Sequence, residues 1–308
     1  MAADTDLLAA ARAWLAADPD PRTVAELTRV LADVEAGDAD AAADLADRFA
    51  GELEFGTAGL RGALGAGPNR MNLAVVIRAA AGVAAWLTSP DGGADAAERG
   101  VAVCFDARHR SADFAEATAQ VLAAAGIRAH LLRGPLPTPV LAFAVTELGA
   151  AAGVMVTASH NPPDDNGYKV YDGSGRQIVA PVDAAIAAGI AAAGPASDVG
   201  RAALDDPRIV PIGDELVATY VERAAAVRLT DGPAPIRIAY TALHGVGTAT
   251  LQRVMIRAGF PVPVDTTAQA APDPDFSTVP FPNPEEPGAL DLGLANAREI
   301  DAHVLLAN

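Results

Sequence analysis

The stretch Thr157-Ala158-Ser159-His160-Asn161-Pro162, continued by Asp165-Asn166-Gly167-Tyr168-Lys169, gathers a hydroxyl, an imidazole, two turn formers and an amine behind a buried-looking apolar run. A serine hydroxyl is a poor nucleophile unless a base or a metal assists it, but once phosphorylated it is a stable phosphoryl store. Two chemistries fit such a serine. In acyl transfer, Ser159 would attack and His160 would act as base, but adjacent side chains on a loop rarely face each other and no Gly-x-Ser-x-Gly elbow surrounds this serine. In phosphoryl transfer, Ser159 would hold the group between steps. A purely structural reading, Ser-x-Asn-Pro as an Asx-type turn, leaves the rest of the eleven-residue pattern unexplained.

Lys169 is the only lysine: Lys and Arg together number 22, so 22 − 1 = 21 are arginine. Arginine is in effect never deprotonated, whereas a lysine amine loses its proton when its surroundings lower its pKa, so the position suits a transferable proton. The plain alternative is that a single lysine must fall somewhere. The net charge of −17 repels nucleic acid and anionic membranes, and no basic run supplies a phosphate-backbone footprint, so neither is an expected partner. An anionic substrate must then be held by individually placed cations. Arg61, between Gly59 and Gly62, where backbone can approach closely, is one of them.

The elements that would position these residues follow from hydrophobic periodicity. Residues 5–50 are Ala-rich with Leu, Trp and Val at helical spacing, broken at Asp18-Pro19-Asp20-Pro21, and read as two or three helices of a leader covering residues 1–50. The DPDPR run resembles a carboxylate metal loop, but its alternate prolines and Thr23 suit a helix start better. A first domain is expected over 51–195: helix 71–86, strand 101–105, helix 114–125, strand 129–132, helix 140–147 and strand 152–157. That βαβαβ order predicts an α/β fold with a mainly parallel sheet covered by helices. The Ala/Gly/Pro/Asp-rich stretch 187–208 reads as a linker or a poorly packed edge. A second domain is expected over 205–308, with helix 215–227, strand 236–240, helix 248–258 and strand 303–307, and the Pro-rich piece 272–287 as a long loop. Cys104, in the run VAVCF, suits a buried small hydrophobe. The longest apolar stretches are broken by Arg or Gly well short of a membrane span. The acidic N-terminus lacks a signal-peptide pattern, and a cytoplasmic protein is expected.

The serine stretch resembles the active-site loop of the α-D-phosphohexomutase family, which includes phosphoglucomutases and phosphomannomutases. Supporting matches occur in order. Glu54-Phe55-Gly56-Thr57-Ala58-Gly59-Leu60-Arg61-Gly62 resembles the family's entry loop, Asp106-Ala107-Arg108-His109-Arg110-Ser111 its next strand-end loop, and Leu243-His244-Gly245-Val246-Gly247 a second-domain loop. The FGTAGLRG form and the helical leader are most similar to the branch of bacterial phosphoglucomutases and phosphopentomutase-like enzymes. The resemblance implies interconversion of hexose 1-phosphate and hexose 6-phosphate through phospho-Ser159 and a bisphosphorylated sugar, with glucose 1,6-bisphosphate as activator. Phosphopentomutase is the nearest alternative, and a non-catalytic sugar-phosphate-binding fragment is the alternative of another class.

In that scheme Arg61 neutralises phosphate charge and Lys169 takes the proton of the incoming hydroxyl. His160 either donates to phosphate or sugar oxygen or hydrogen-bonds the loop backbone; both readings stay open. Thr57 and Asn161 join Arg61, His160 and Lys169 in holding substrate, while Asp106, Arg108 and Ser111 brace the serine loop. His244 suits packing between domains better than phosphate binding. The family binds Mg²⁺ through an Asp-x-Asp-x-Asp-Arg loop and an oxygen of the phosphoserine, here Ser159. No such loop occurs in the sequence, and the strand that resembles its carrier ends the chain. The expectation is therefore an N-terminal part of a mutase, inactive or nearly so by itself, whose sugar-selecting and phosphate-binding loops lie in regions not included.

Overall fold

The computed structural model describes residues 5–230, 232 and 234–308. Helices α1 (Thr5–Ala17), α2 (Pro21–Glu35) and α3 (Ala39–Arg48) form the leader. The DPDPR run is a helix start: the Asp20 carboxylate accepts from the Arg22 N–H, and Pro21 sits in the first turn, where its missing N–H costs nothing. Ala11, Leu27, Leu31, Val34 and Leu45 close into a small core of their own.

Strand β1 (Leu60–Ala63) follows, then α4 (Leu73–Thr88), the short α5 (Ala96–Arg99), β2 (Val101–Phe105), α6 (Ser111–Ala124), β3 (Ala129–Leu132), α7 (Thr138–Glu147) and β4 (Ala152–Val156). After them come β5 (Asp165–Asp172), α8 (Val182–Ala192), β6 (Ile209–Ile212) and α9 (Asp214–Ala225). The strands make one sheet in the order β1-β5-β4-β2-β3-β6. Strands β4, β2, β3 and β6 run parallel, while β5 is antiparallel to both β4 and β1. One face packs Val101, Val103, Val154, Val156, Tyr168 and Val170 against α4, α6 and α8, and the other packs Ala102, Cys104 and Met155 against α7 and α9. Central strands buried on both faces explain why VAVCF and AGVMV are unbroken apolar runs. Cys104 is fully buried, and burial pushes its thiol up to about 12, so it is packing material.

Two expectations need correction. The stretch 187–208 is not simply a linker, because its first residues lie in α8. There the small residues allow α8 to cross α4 with almost no gap: a Cβ on Gly82 would meet Ile190 Cγ1 at 2.5 Å and the Ile186 carbonyl oxygen at 2.8 Å. Nor does residue 205 open a second unit, because β6 pairs in parallel with β3 and completes the first sheet. The composition that reads as a loop is here the signature of close helix packing.

The second unit has β7 (Ile238–Thr241), α10 (Thr248–Arg257), β8 (Val264–Asp265), α11 (Asp291–Glu299) and β9 (Val304–Ala307), with a parallel sheet ordered β8-β7-β9. Strand β8 and helix α11 go beyond the elements expected from periodicity. Among the described residues no helix is long and apolar enough to cross a membrane.

Two substitutions test this packing. Gly82→Val is expected to destabilise the protein by about 1–3 kcal/mol, because the clash is with backbone that cannot rotate away; urea denaturation measures it, and wild-type stability would mean that α4 and α8 separate freely. Asp20→Ala removes both the α2 cap and the buried partner of Arg110, which donates to Asp20 Oδ2 at 2.6 Å, and is expected to cost about 1–3 kcal/mol in the same assay.

Candidate active site

Strands β2 and β4 are neighbours in register, with Phe105 opposite Val156, so the loops that follow them leave the sheet side by side at their carboxyl ends. Ligands gather at such strand ends in open parallel sheets. The first loop supplies Arg108, whose side chain is 1% exposed. Its Nη1 donates to the carbonyl oxygens of Pro162 at 2.7 Å and Asp165 at 3.1 Å, and its Nη2 to those of Ser159 and Asn161, each at 2.8 Å. Four carbonyls of one loop thus converge on one planar fork, a geometry that a lysine ammonium does not match. Desolvation pulls the Arg108 pKa down, and the charges of Asp106 and Asp165 push back. Hydrogen bonds to a charged donor contribute about 1.5–3 kcal/mol each, enough together to offset a burial cost of several kcal/mol.

Asp106 and Ser111 complete this support. Asp106 Oδ1 accepts from the Arg108 backbone N–H at 3.0 Å and from the Ser111 hydroxyl at 2.6 Å. Asn166, fully buried, donates to the Ser111 hydroxyl and to the His109 carbonyl, both at 2.9 Å. The serine loop adds its own bonds: the Ser159 N–H donates to Thr157 Oγ1 at 3.1 Å, and the Asn161 amide donates to Asp165 Oδ2 at 2.6 Å. Asn161 thereby commits one of its two amide hydrogens within the loop.

Ser159 is held at φ 55°, in the left-handed region that costs a non-glycine residue about 1–2 kcal/mol. It borders a cavity of about 310 Å³ between the two sheets, lined on one side by Ser159, His160 and Arg108 and on the other by Leu243, His244 and Phe276. Among the described residues six non-glycine positions have positive φ, and four of them, Ser159, Leu243, His244 and Phe276, line this cavity. Strain of that kind persists where surrounding structure over-determines it and gathers at functional sites, which makes this cavity the candidate site.

Lys169 and Arg61 are not among the residues that line the cavity. Lys169 is on β5 opposite Met155, and Arg61 is on β1 opposite Gly167, so pleat parity puts all three on one face of the sheet. The Lys169 ammonium is pulled below its ordinary value by burial first and then by the charge of Arg61, with Asp106 opposing. Gly59 admits this packing: its φ is 78°, and a Cβ there would meet the Tyr168 carbonyl oxygen at 2.0 Å. Thr57 is exposed, and its carbonyl accepts from the Gln177 side chain at 2.8 Å. His160 is exposed at the cavity rim; partial desolvation, then the charges of Lys169 and Arg108, lower its pKa against the pull of Glu285.

His244 is buried and bonded through Nε2 to the Thr278 hydroxyl at 2.8 Å, which ties the second-unit loop to the Pro-rich segment. That segment is the part of the site that periodicity missed. It delivers Asp273, Phe276 and Pro282 to the cavity and Glu285 to the neighbourhood of His160. A long loop with no regular structure of its own, rich in Asp and Pro and following a strand, is the signal that marks it.

Residues 52–196 match the family model of phosphoglucomutase/phosphomannomutase α/β/α domain I, and residues 218–308 that of domain II. A probable phosphomannomutase of Haemophilus influenzae is 45% identical over 244 residues, covering 77% of this chain and 48% of the relative. A phosphoribomutase of Saccharomyces cerevisiae is 35% identical over 317 residues, covering 96% of this chain and 49% of the relative. The chain spans about half the length of the curated relatives it matches. A putative phosphomannomutase from Thermus thermophilus superposes with a TM-score of 0.66 at 28% identity, over 84% of this chain and 55% of that one. With both domains matched in order around a strained serine at the strand ends, the chain belongs to the phosphoglucomutase/phosphomannomutase family of α-D-phosphohexomutases.

Proposed function

We propose that the protein is a phosphohexomutase that interconverts hexose 1-phosphate and hexose 6-phosphate through a phosphoserine at Ser159. The observation that supports this reading best is Ser159 itself, held left-handed at the mouth of a cavity by a loop whose carbonyls converge on one buried guanidinium. Phosphoryl transfer asks a protein mainly for positioning and charge neutralisation, and a rigid loop with Arg61, Lys169 and His160 around it supplies both.

In the first step a free hydroxyl oxygen of the sugar phosphate attacks the phosphorus of phospho-Ser159. The new P–O bond forms as the bond to Ser159 Oγ breaks, the hydroxyl proton passes to the neutral Lys169 amine, and the serine oxygen recovers a proton from it. The bisphosphate turns over, Ser159 Oγ attacks its other phosphate with the same proton path in reverse, and the net result is isomerisation. Arg61 neutralises phosphate charge, and Thr57, Asn161 and His160 contact the substrate. The family's Mg²⁺ would neutralise charge on the transferring group, with a phosphoserine oxygen among its ligands. Among the described residues no group of three or more His, Cys, Asp or Glu side chains is placed to hold a metal ion, so they do not fit a complete Mg²⁺ site.

The relative named phosphoribomutase favours a second reading, a pentose phosphate substrate. Assay of the whole protein with glucose 1,6-bisphosphate, Mg²⁺ and either glucose 1-phosphate or ribose 1-phosphate separates the two. The expected outcome is turnover of the hexose, phosphate on Ser159 by mass spectrometry, and loss of both in Ser159→Ala. Turnover of ribose 1-phosphate alone would select the pentomutase, and binding of sugar phosphate without serine phosphorylation would select the non-catalytic reading.

Lys169 gives a signed pH dependence. Its folded pKa lies below the ordinary lysine value of 10.5. As base it acts when neutral, so kcat/KM should rise with pH through that lowered pKa. Lys169→Arg, which stays charged, should remove this limb and cut kcat by about 10²–10⁴. The unfolded chain binds more protons than the folded one between the two pKa values, so the burial penalty is full below the folded pKa and vanishes as pH rises through 10.5. Lys169→Met should therefore raise Tm at pH 7; a lower Tm would mean that the ammonium is stabilised where it sits.

A further inference from the structure

Three consecutive residues of the loop after β2 reach three different parts of the molecule. Arg108 holds the serine loop, Arg110 donates to Asp20 of the leader at 2.6 Å, and His109 Nε2 lies 2.7 Å from Asp275 Oδ1 of the second unit. Next to Asp275 stands Phe276, whose ring covers the Arg108 guanidinium with its centroid 4.8 Å away. The in-plane N–H groups of Arg108 point at loop carbonyls, so its face is the surface left for the ring.

Phe276 is held firmly on its own side. It is 7% exposed, packed with Leu243 and Val279, and adopts φ 47°, an outlier for a bulky residue. A buried polar chain fixes this turn. Thr241 donates to Gln269 at 2.7 Å, Gln269 to Thr278 at 3.0 Å, and Thr278 meets His244 Nε2 at 2.8 Å. The Asp273 N–H donates to the His244 carbonyl at 3.1 Å, and Asp273 in turn accepts from the backbone of Asp275 and Ser277.

We infer that Phe276 is a positioning residue for phosphoryl transfer: the second unit sets the serine loop by pressing this ring on the face of Arg108. The inference rests on the phosphoserine reading above. A cation stacked on an aromatic face in a desolvated place is held in one plane, and that plane fixes where the four carbonyls and the Ser159 backbone lie. A shift of the serine by a fraction of an ångström to one ångström changes in-line geometry and so the rate of transfer, without touching groups that bind the sugar.

The test compares Phe276→Leu and Phe276→Trp with wild type in the whole protein. It reads the rate of Ser159 phosphorylation by glucose 1,6-bisphosphate, kcat and KM for glucose 1-phosphate, hydrogen exchange of residues 157–165, and Tm. Phe276→Leu should slow phosphorylation and kcat about tenfold with KM within about twofold, and speed exchange in 157–165. Phe276→Trp, which restores a ring over the guanidinium, should return kcat to within about threefold of wild type whatever its Tm. Wild-type kcat in Phe276→Leu, or equal loss in both variants, would overturn the inference. If wild type itself is never phosphorylated on Ser159, the phosphoserine reading fails instead; the exchange of 157–165 still decides whether Phe276 orders the loop, and unchanged exchange in Phe276→Leu rejects that too.

Discussion

The buried guanidinium of Arg108 is the constraint on which the site depends. A loop leaving a parallel strand exposes carbonyl oxygens that the sheet no longer satisfies, and burying them unpaired costs about 1–3 kcal/mol each. Here four such oxygens, from Ser159, Asn161, Pro162 and Asp165, turn inward on one fork. In that curl Ser159 takes the left-handed conformation, so the conformational penalty at the serine and the satisfaction of the carbonyls are parts of one arrangement. The same curl leaves the serine side chain at the cavity while its backbone is locked, which is the rigidity that in-line transfer requires.

The molecule is organised around that loop pair. The leader reaches it through Asp20 and Arg110, the first sheet through Asp106, Ser111 and Asn166, and the second unit through Asp275 and Phe276. In a chain of net charge −17, the cations Arg61, Arg108 and Lys169 stand close enough to act on one another or on His160. These placed cations give an anionic sugar a reason to bind there despite the neighbouring Asp106 and Glu285, and burial beside Arg61 places a lysine under pressure to lose its proton. Lys169 is half-buried on an antiparallel strand rather than on a mobile loop, so that pressure is a fixed property of the sheet.

Much of this was legible in the residues. The buried runs VAVCF and AGVMV are strands because only doubly covered strands are apolar throughout, and the polar cluster after each marks a strand-end loop. The DPDPR run reads as a helix start through its prolines, and the structure agrees. Strand β5 was harder to see, since DNGYKVYD continues a loop motif and its partners lie far away in sequence. Helix α8 was hidden by the small residues that let it touch α4 at Gly82. The contribution of Phe276 is illegible in sequence for a different reason: it is one of two phenylalanines in a Pro-rich segment and gains meaning only from the guanidinium it covers across the cavity.

The most direct test of this account is phosphorylation of Ser159 in Arg108→Lys. This substitution keeps the charge and removes the planar fork, so the loop carbonyls lose their common partner while the cations around the substrate stay in place. Incubation of the whole protein with glucose 1,6-bisphosphate and Mg²⁺, followed by mass spectrometry of the Ser159 peptide over time, reads the result. The account predicts a folded variant whose rate of serine phosphorylation falls by about 10². A wild-type rate in Arg108→Lys would contradict it, because the serine would then be reactive without the fork that holds its loop.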